Sequence, residues 1–272
     1  MGSFDLGSRN LTSLLSVVTL LLSGSACAQN EAAEDAFSEL EKIAADYKIE
    51  IIATDPRFPV ATTYGDIDGK GSDRELLKNY ARLFAPEFTL YPPELVKRTK
   101  LKQIVLCEEL SFDGQRRNAV PDFEHNTLYL EVRRGADNKT YLRKVIHHEY
   151  FHIIDYMDDG RVYQDKRWAA LNLVDFKYGS GGRNVQNLGT TSVLTEKFPG
   201  FLNHYSTTGV EEDKAEVFAN MIIDPAYVED RASKNHVLLA KVERMRDLLL
   251  SFCPEMNEEF WEKVRRMKRP DK

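Results

Sequence analysis

"KVIHHEYFHIID", residues 144–155, decides how the rest of the chain is read. Histidines, a glutamate and an aspartate sit in a run that is otherwise apolar. The run belongs to a segment, from about Lys139 to Met157, that predicts one long helix. Leu142, Val145, Ile146, Ile153, Ile154 and Met157 spread a broad apolar surface around it. Such a helix buries most of its circumference, and polar side chains carried inside need partners. Within it, His148-Glu149-Tyr150-Phe151-His152 is an H-E-x-x-H. Positions i and i+4 of a helix stand about 40° apart and one turn along, so both imidazoles project to one side and can share a metal ion. Glu149 points roughly 100° away from His148 and can reach a water at that ion without being a ligand. These residue types at this spacing predict a zinc hydrolase, in which zinc acidifies a water and the glutamate takes its proton. His147 lies off the shared face and reads as structural.

A zinc site of this kind needs a third protein ligand, and two continuations compete. In one, the chain continues H-x-x-G-x-x-H/D. Asp158 fills the last slot, but Asp155 replaces the glycine that would bend the chain back, so the helix should carry Asp158 away. In the other, a later helix supplies a glutamate. Glu212 and Glu216 lie one turn apart in "EEDKAEVFA" (211–219), where a helix is predicted to start and its dipole favours carboxylates.

"HEYFHIIDY" (148–156) together with "YSTTGVEEDKAEVFA" (205–219) resembles the catalytic region of anthrax lethal-factor-type metallopeptidases. It also resembles a group of zinc-binding metallopeptidases found among bacterial lipoproteins, of the gluzincin type. That family reads H-E-x-x-H-x-x-D on one helix. A tyrosine then stands seven positions before the first glutamate of an E-x-x-A-E, as Tyr205 stands before Glu212 here. The likeness covers roughly residues 140–223. It implies His148, His152 and Glu212 as zinc ligands, Glu149 as general base, and Tyr205 as a donor to the tetrahedral oxyanion. It also implies Asp155 as a carboxylate that orients a ligand imidazole. Glu216 suits a similar place and is the reserve ligand. The fold implied is a zincin-like α+β one, with a small mixed sheet packed on the H-E-x-x-H helix and a helical C-terminal part. The activity implied is hydrolysis of a peptide or protein substrate by zinc-activated water. A different class also fits the residues: a zinc-containing surface binding or tethering protein without peptidase activity. Glu149 and Tyr205 weigh against it, since binding alone needs neither.

The N-terminus carries its own signal. Arg9 precedes "LTSLLSVVTLLL" (11–22) and the small residues of "SGSACAQ" (23–29), the pattern of a secretory signal peptide over residues 1–28. Cleavage after Ala26-Cys27-Ala28 would release a secreted chain. Gly24-Ser25-Ala26-Cys27 instead resembles a bacterial lipobox, which would leave Cys27 lipidated and the protein attached to a membrane. Either route predicts export, to the periplasm, the cell surface or the medium.

With 272 residues, 42% of them hydrophobic, the chain can bury a sizeable core. A net charge of −6 and the lack of any basic stripe with interleaved aromatics argue against a nucleic-acid partner. Residues 29–100 read as an N-terminal part. It has a helix over 32–47, a strand over 48–54, a loop over 55–73, and a helix that a Ser72–Glu75 capping box opens and Pro86 stops near Phe84. A short helix follows Pro92 and Pro93. Residues 101–272 read as the catalytic part. Strands are predicted over 101–112 and 126–132, irregular chain over 158–210 with a helical piece near 167–172, and helices over 211–223, 234–252 and 257–267. Beyond Cys27, Cys107 and Cys253 could pair in an exported chain or stay as buried thiols.

Overall fold

The computed structural model describes residues 36–182 and 191–269; the expected leader and Cys27 lie outside the described residues. A helix over 36–47 (α1) leads into strands β1 (Glu50–Ile52), β2 (Val60–Thr62) and β3 (Gly65–Lys70). Helices α2 (Arg74–Phe88) and α3 (Pro93–Arg98) follow, then strands β4 (Gln103–Phe112), β5 (Gln115–Arg116), β6 (Ala119–Asp122) and β7 (Thr127–Glu131). The rest is helical: α4 (Lys139–Asp159), α5 (Lys166–Ala169), a 3-10 turn at Tyr205–Thr207, α6 (Val210–Ile223), α7 (Pro225–Lys234), α8 (His236–Phe252) and α9 (Glu258–Arg266). The class is α+β. None of the described helices is long and apolar enough to cross a membrane.

The sheet is built around β4, whose ten residues serve several partners. Its first half pairs in parallel with β1 and with β7, and its second half pairs antiparallel with β3 and β5. Strand β6 runs antiparallel to β7 and forms an edge. Side chains alternate across a strand, and both faces find apolar cover. Ile104, Leu106, Leu128 and Leu130 join the main core with the helices. Val105, Cys107, Val120 and Tyr129 meet Ile67 of β3 in a smaller cluster on the other side.

The loop predicted over 55–73 instead contains the β2–β3 hairpin, in register Val60↔Ile67 to Thr62↔Gly65. Only Ile67 of β3 is buried, so alternation was too faint to announce a strand among so many Gly and Asp residues. Helix α2 does not stop before Pro86 but runs through it to Phe88. Phe84 and Phe88 stack in the core at 5.1 Å between ring centroids, and Glu87 between them is fully buried in ion pairs. Those contacts outweigh one missing N–H near a helix end. Its cap is Asp73, whose side chain accepts from the Leu76 amide, while Ser72 donates to Glu108. The Ser72–Glu75 capping box is therefore not formed. Strand β6 and helix α7 arise where no element was predicted.

Residues on either side of position 100 share one core. Leu40 and Tyr47 of α1 and Leu77 and Phe84 of α2 belong to the same cluster as Ile146 of α4, Phe218 of α6 and Leu249 of α8. Cys107 and Cys253 are buried free thiols, and each lies in a different apolar cluster.

Candidate metal centre

Helix α4 passes through the core with polar residues on several faces, and each face has its own partners. Asn138 caps it by accepting from the Tyr141 amide, and Gly160 ends it at φ 75°, a left-handed conformation that glycine adopts without strain. On its rear, His147 is fully buried between the Tyr91 hydroxyl (2.6 Å) and Glu87 (3.0 Å). Arg269 donates to both oxygens of Glu87, and Arg143 lies 3.1 Å from it. His147 is thus a structural tie between α4 and α2.

On the opposite side His148 and His152 do share a face. Their rings stand at 82°, with 3.3 Å between the two Nε2 atoms. Helix α6 brings Glu212 to them: its Oε2 is 3.0 Å from His148 Nε2 and 3.7 Å from His152 Nε2. Among the described residues, this is the one group of three His, Cys, Asp or Glu side chains that could hold a metal ion. Asp158 stays outside it, because α4 runs on to Asp159 without bending back.

The donor set fits zinc on two counts. Two imidazoles and a carboxylate are a hydrolytic zinc set. Ligand atoms about 2.0–2.1 Å from a tetrahedral centre stand about 3.4 Å from one another, close to the 3.0, 3.3 and 3.7 Å found here.

The surroundings hold the charges in place. Burial opposes a charged His148, but Glu212 and Glu216 outweigh it and raise its pKa to about 10. Burial also opposes the Glu212 carboxylate, yet the two imidazoles hold it well below the usual range. Glu216 lies outside the group of three. Its Oε1 lies 3.2 Å from His148 Nδ1, and Asn203 and Lys144 donate to it. Asp155 pairs with Lys214 through one oxygen, and its other oxygen has no hydrogen bond among the described residues. Glu149 makes no hydrogen bond or ion pair among the described residues. Burial and Glu212 push its pKa up, against the pull of His148 and His152.

Tyr205 opens the 3-10 turn just before α6 and donates to Glu212 Oε1 at 2.8 Å, on the side away from His148. Its ring lies 5.9 Å from that of His148. Gly182 passes so close that a Cβ there would sit 2.3 Å from the Tyr205 hydroxyl and 2.4 Å from Glu212 Oε1. His204 stacks on Phe198 rather than pointing at the ligands. With Phe176, Lys177 and Thr207 they line an open cavity of about 430 Å³.

Sequence reading missed Lys144, Lys214, Asn203 and Gly182. Lys144 carried a usable signal, a lysine one turn before His148 inside an apolar helix. Gly182 carried none, since its neighbours are remote in sequence.

An α+β chain with a buried two-histidine, one-carboxylate group is the class that fold and site define. No family model matches the sequence, and no curated protein matches it. The fold is similar to that of a solved structure from Bacteroides caccae, described as a "putative zinc-binding metallo-peptidase". The two superpose with a TM-score of 0.53 at 15% identity, over 86% of this chain and 90% of the other. At that identity the likeness establishes a shared fold.

Proposed function

We propose that this chain is a zinc-dependent metallopeptidase of the gluzincin type, with a zincin-like fold related to the catalytic region of lethal-factor-type enzymes. The observation that carries the reading is the convergence of His148, His152 and Glu212, with Glu149 in the turn between the histidines and Tyr205 beside the carboxylate. The description of the Bacteroides caccae protein agrees with it.

His148 and His152 through Nε2, and Glu212 through Oε2, would hold the ion. Zinc bound there supplies a Lewis acid and lowers the pKa of a water. Glu149 takes the proton from the attacking water and delivers it to the leaving amine. Its raised pKa suits both halves of that task. Tyr205 turns its hydroxyl from Glu212 to the developing oxyanion. Glu216 steadies the His148 ring through Nδ1. The cavity lined by Phe176, Phe198, His204 and Thr207 offers space for a substrate side chain.

The leader over residues 1–28 adds export to the proposal, with the mature protein either secreted or attached to a membrane through a lipidated Cys27. Mass spectrometry of the mature N-terminus separates the two.

The central test is a pair of variants. Glu149→Gln should keep one equivalent of zinc while cleavage of a mixed peptide library falls by about 10²–10⁴-fold. His152→Ala should lose both. Zinc bound at one equivalent by the unaltered protein, with no cleavage of any peptide, would favour a binding or tethering role instead.

A further inference from the structure

Lys144 and Lys214 are 7% and 2% exposed, and lysine is rarely buried to that extent unless paired. They lie on the two ligand-bearing helices and pair crosswise. Lys144, on α4 one turn before His148, donates to both oxygens of Glu216 on α6, at 2.9 and 3.1 Å. Lys214, on α6 between Glu212 and Glu216, pairs with Asp155 of α4. It also lies 3.2 Å from Asp165, whose side chain caps α5. Each helix therefore gives the other one cation and receives one. Both carboxylates lie beside the proposed ligands. Glu216 Oε1 is 3.2 Å from His148 Nδ1, and Asp155 is three residues past His152 on the same helix.

We infer that Lys144 and Lys214 are positioning residues for the metal. They form a reciprocal clamp that sets the offset of α6 along α4 and so keeps Glu212 Oε2 within reach of both imidazoles. Sliding either helix breaks both pairs and leaves buried charges unmatched, a heavy cost in a low-dielectric interior. Crossed pairs of opposite sense also specify one register, as charged positions do between paired helices. Apolar packing alone tolerates small slips. A slip of about 1 Å at Glu212 is a large error for a ligand bond of about 2 Å.

The inference rests on the zinc reading of the site, and its test reads metal affinity rather than turnover. Lys144→Met and Lys214→Met are titrated with zinc by competition calorimetry. Melting temperatures are recorded with zinc and with chelator. The clamp predicts Kd raised by about 10–100-fold in each variant, a matching shrinkage of the zinc-induced rise in melting temperature, and recovery of most of the affinity in Lys144→Arg and Lys214→Arg. Arg231→Met removes a comparably buried cation that bonds the Thr195 and Phe201 carbonyls instead of Glu216 or Asp155. It should lower both melting temperatures together and leave Kd unchanged. If a Met variant fails to fold, the corresponding Lys→Gln variant, which keeps a donor but not the charge, is titrated with the same expectations. Unchanged Kd with both melting temperatures lowered equally would reduce the lysines to ordinary core pairs and overturn the inference alone. An unaltered protein that takes up no zinc would overturn the metal reading along with it.

Discussion

The Tyr205 hydroxyl donates to Glu212 Oε1 at 2.8 Å, so without substrate it steadies the proposed carboxylate ligand. During reaction the same group is available to a developing oxyanion. Tyr205→Phe removes the donor and keeps the ring, so kcat should fall by about 10²–10³-fold with KM much less affected. Zinc content should stay near one equivalent. A loss of zinc as large as the loss of rate would show that the hydroxyl serves Glu212 alone. Gly182 makes the complementary point. A methyl group 2.3 Å from that hydroxyl cannot be accommodated in place, so Gly182→Ala should push Tyr205 and Glu212 aside. It should weaken zinc binding as well as turnover, read by the same titration. These two residues also mark where sequence reading stops. Tyr205 was found because its offset from Glu212 is a local pattern, whereas Gly182 matters through space.

Among the elements, α4 is held on two faces by different chemistry. Its front carries the ligands, and its rear is tied through His147 and Arg143 to Glu87 of α2. Burial opposes the charge on Glu87, but His147 and Arg269 outweigh it and bring its pKa down to about 2. A carboxylate depressed on folding binds its proton more readily in the unfolded chain. Its contribution is complete above the ordinary value of 4.5 and is lost as pH falls toward about 2. His147 acts in the same sense. Burial lowers its pKa from 6.5, so the unfolded chain takes up that proton first and stability starts to decline below that pH. The His147 and Glu87 contributions to the melting temperature of metal-free protein should therefore be lost from about pH 6.5 downward, against the raised carboxyls of Glu149, Asp155 and Asp213, which act in the opposite sense. The decline between about pH 4.5 and 2 should be shallower in Glu87→Gln. Melting curves taken in chelator across that range check both. Helix α4 was legible because its apolar positions and its H-E-x-x-H are local, and α6 because its acidic first turn announces a start. The β2–β3 hairpin was not, since a strand with one buried residue shows almost no alternation. The passage of α2 through Pro86 was not, since it depends on ion pairs with residues as distant as Arg269.

For the whole molecule, the sheet and both ligand helices share one core with α1 and α2, so the stretch before position 100 is part of what holds the site. The lining of the cavity by residues 176–181 and 198–208 was legible only as irregular chain; its shape comes from tertiary contacts such as Gly181 N–H donating to the Thr208 carbonyl. Burial pushes the thiols of Cys107 and Cys253 up to about 12. They should resist alkylation in the folded protein and react readily once it is denatured. Reductant should leave the melting temperature unchanged, and a fall on adding it would reveal a bond the fold does not contain.

Arg269 meets Glu87 from 182 positions further along the chain. A ribosome makes helix α4, with both of its proposed ligand histidines, long before it makes that arginine. Until then the carboxylate behind His147 must wait with Arg143 beside it. Release of a chain short of position 269 would leave a protein with every proposed catalytic residue in place and a charge at its centre missing its bidentate counterpart. The stretch around position 269 thus completes the charge balance behind His147.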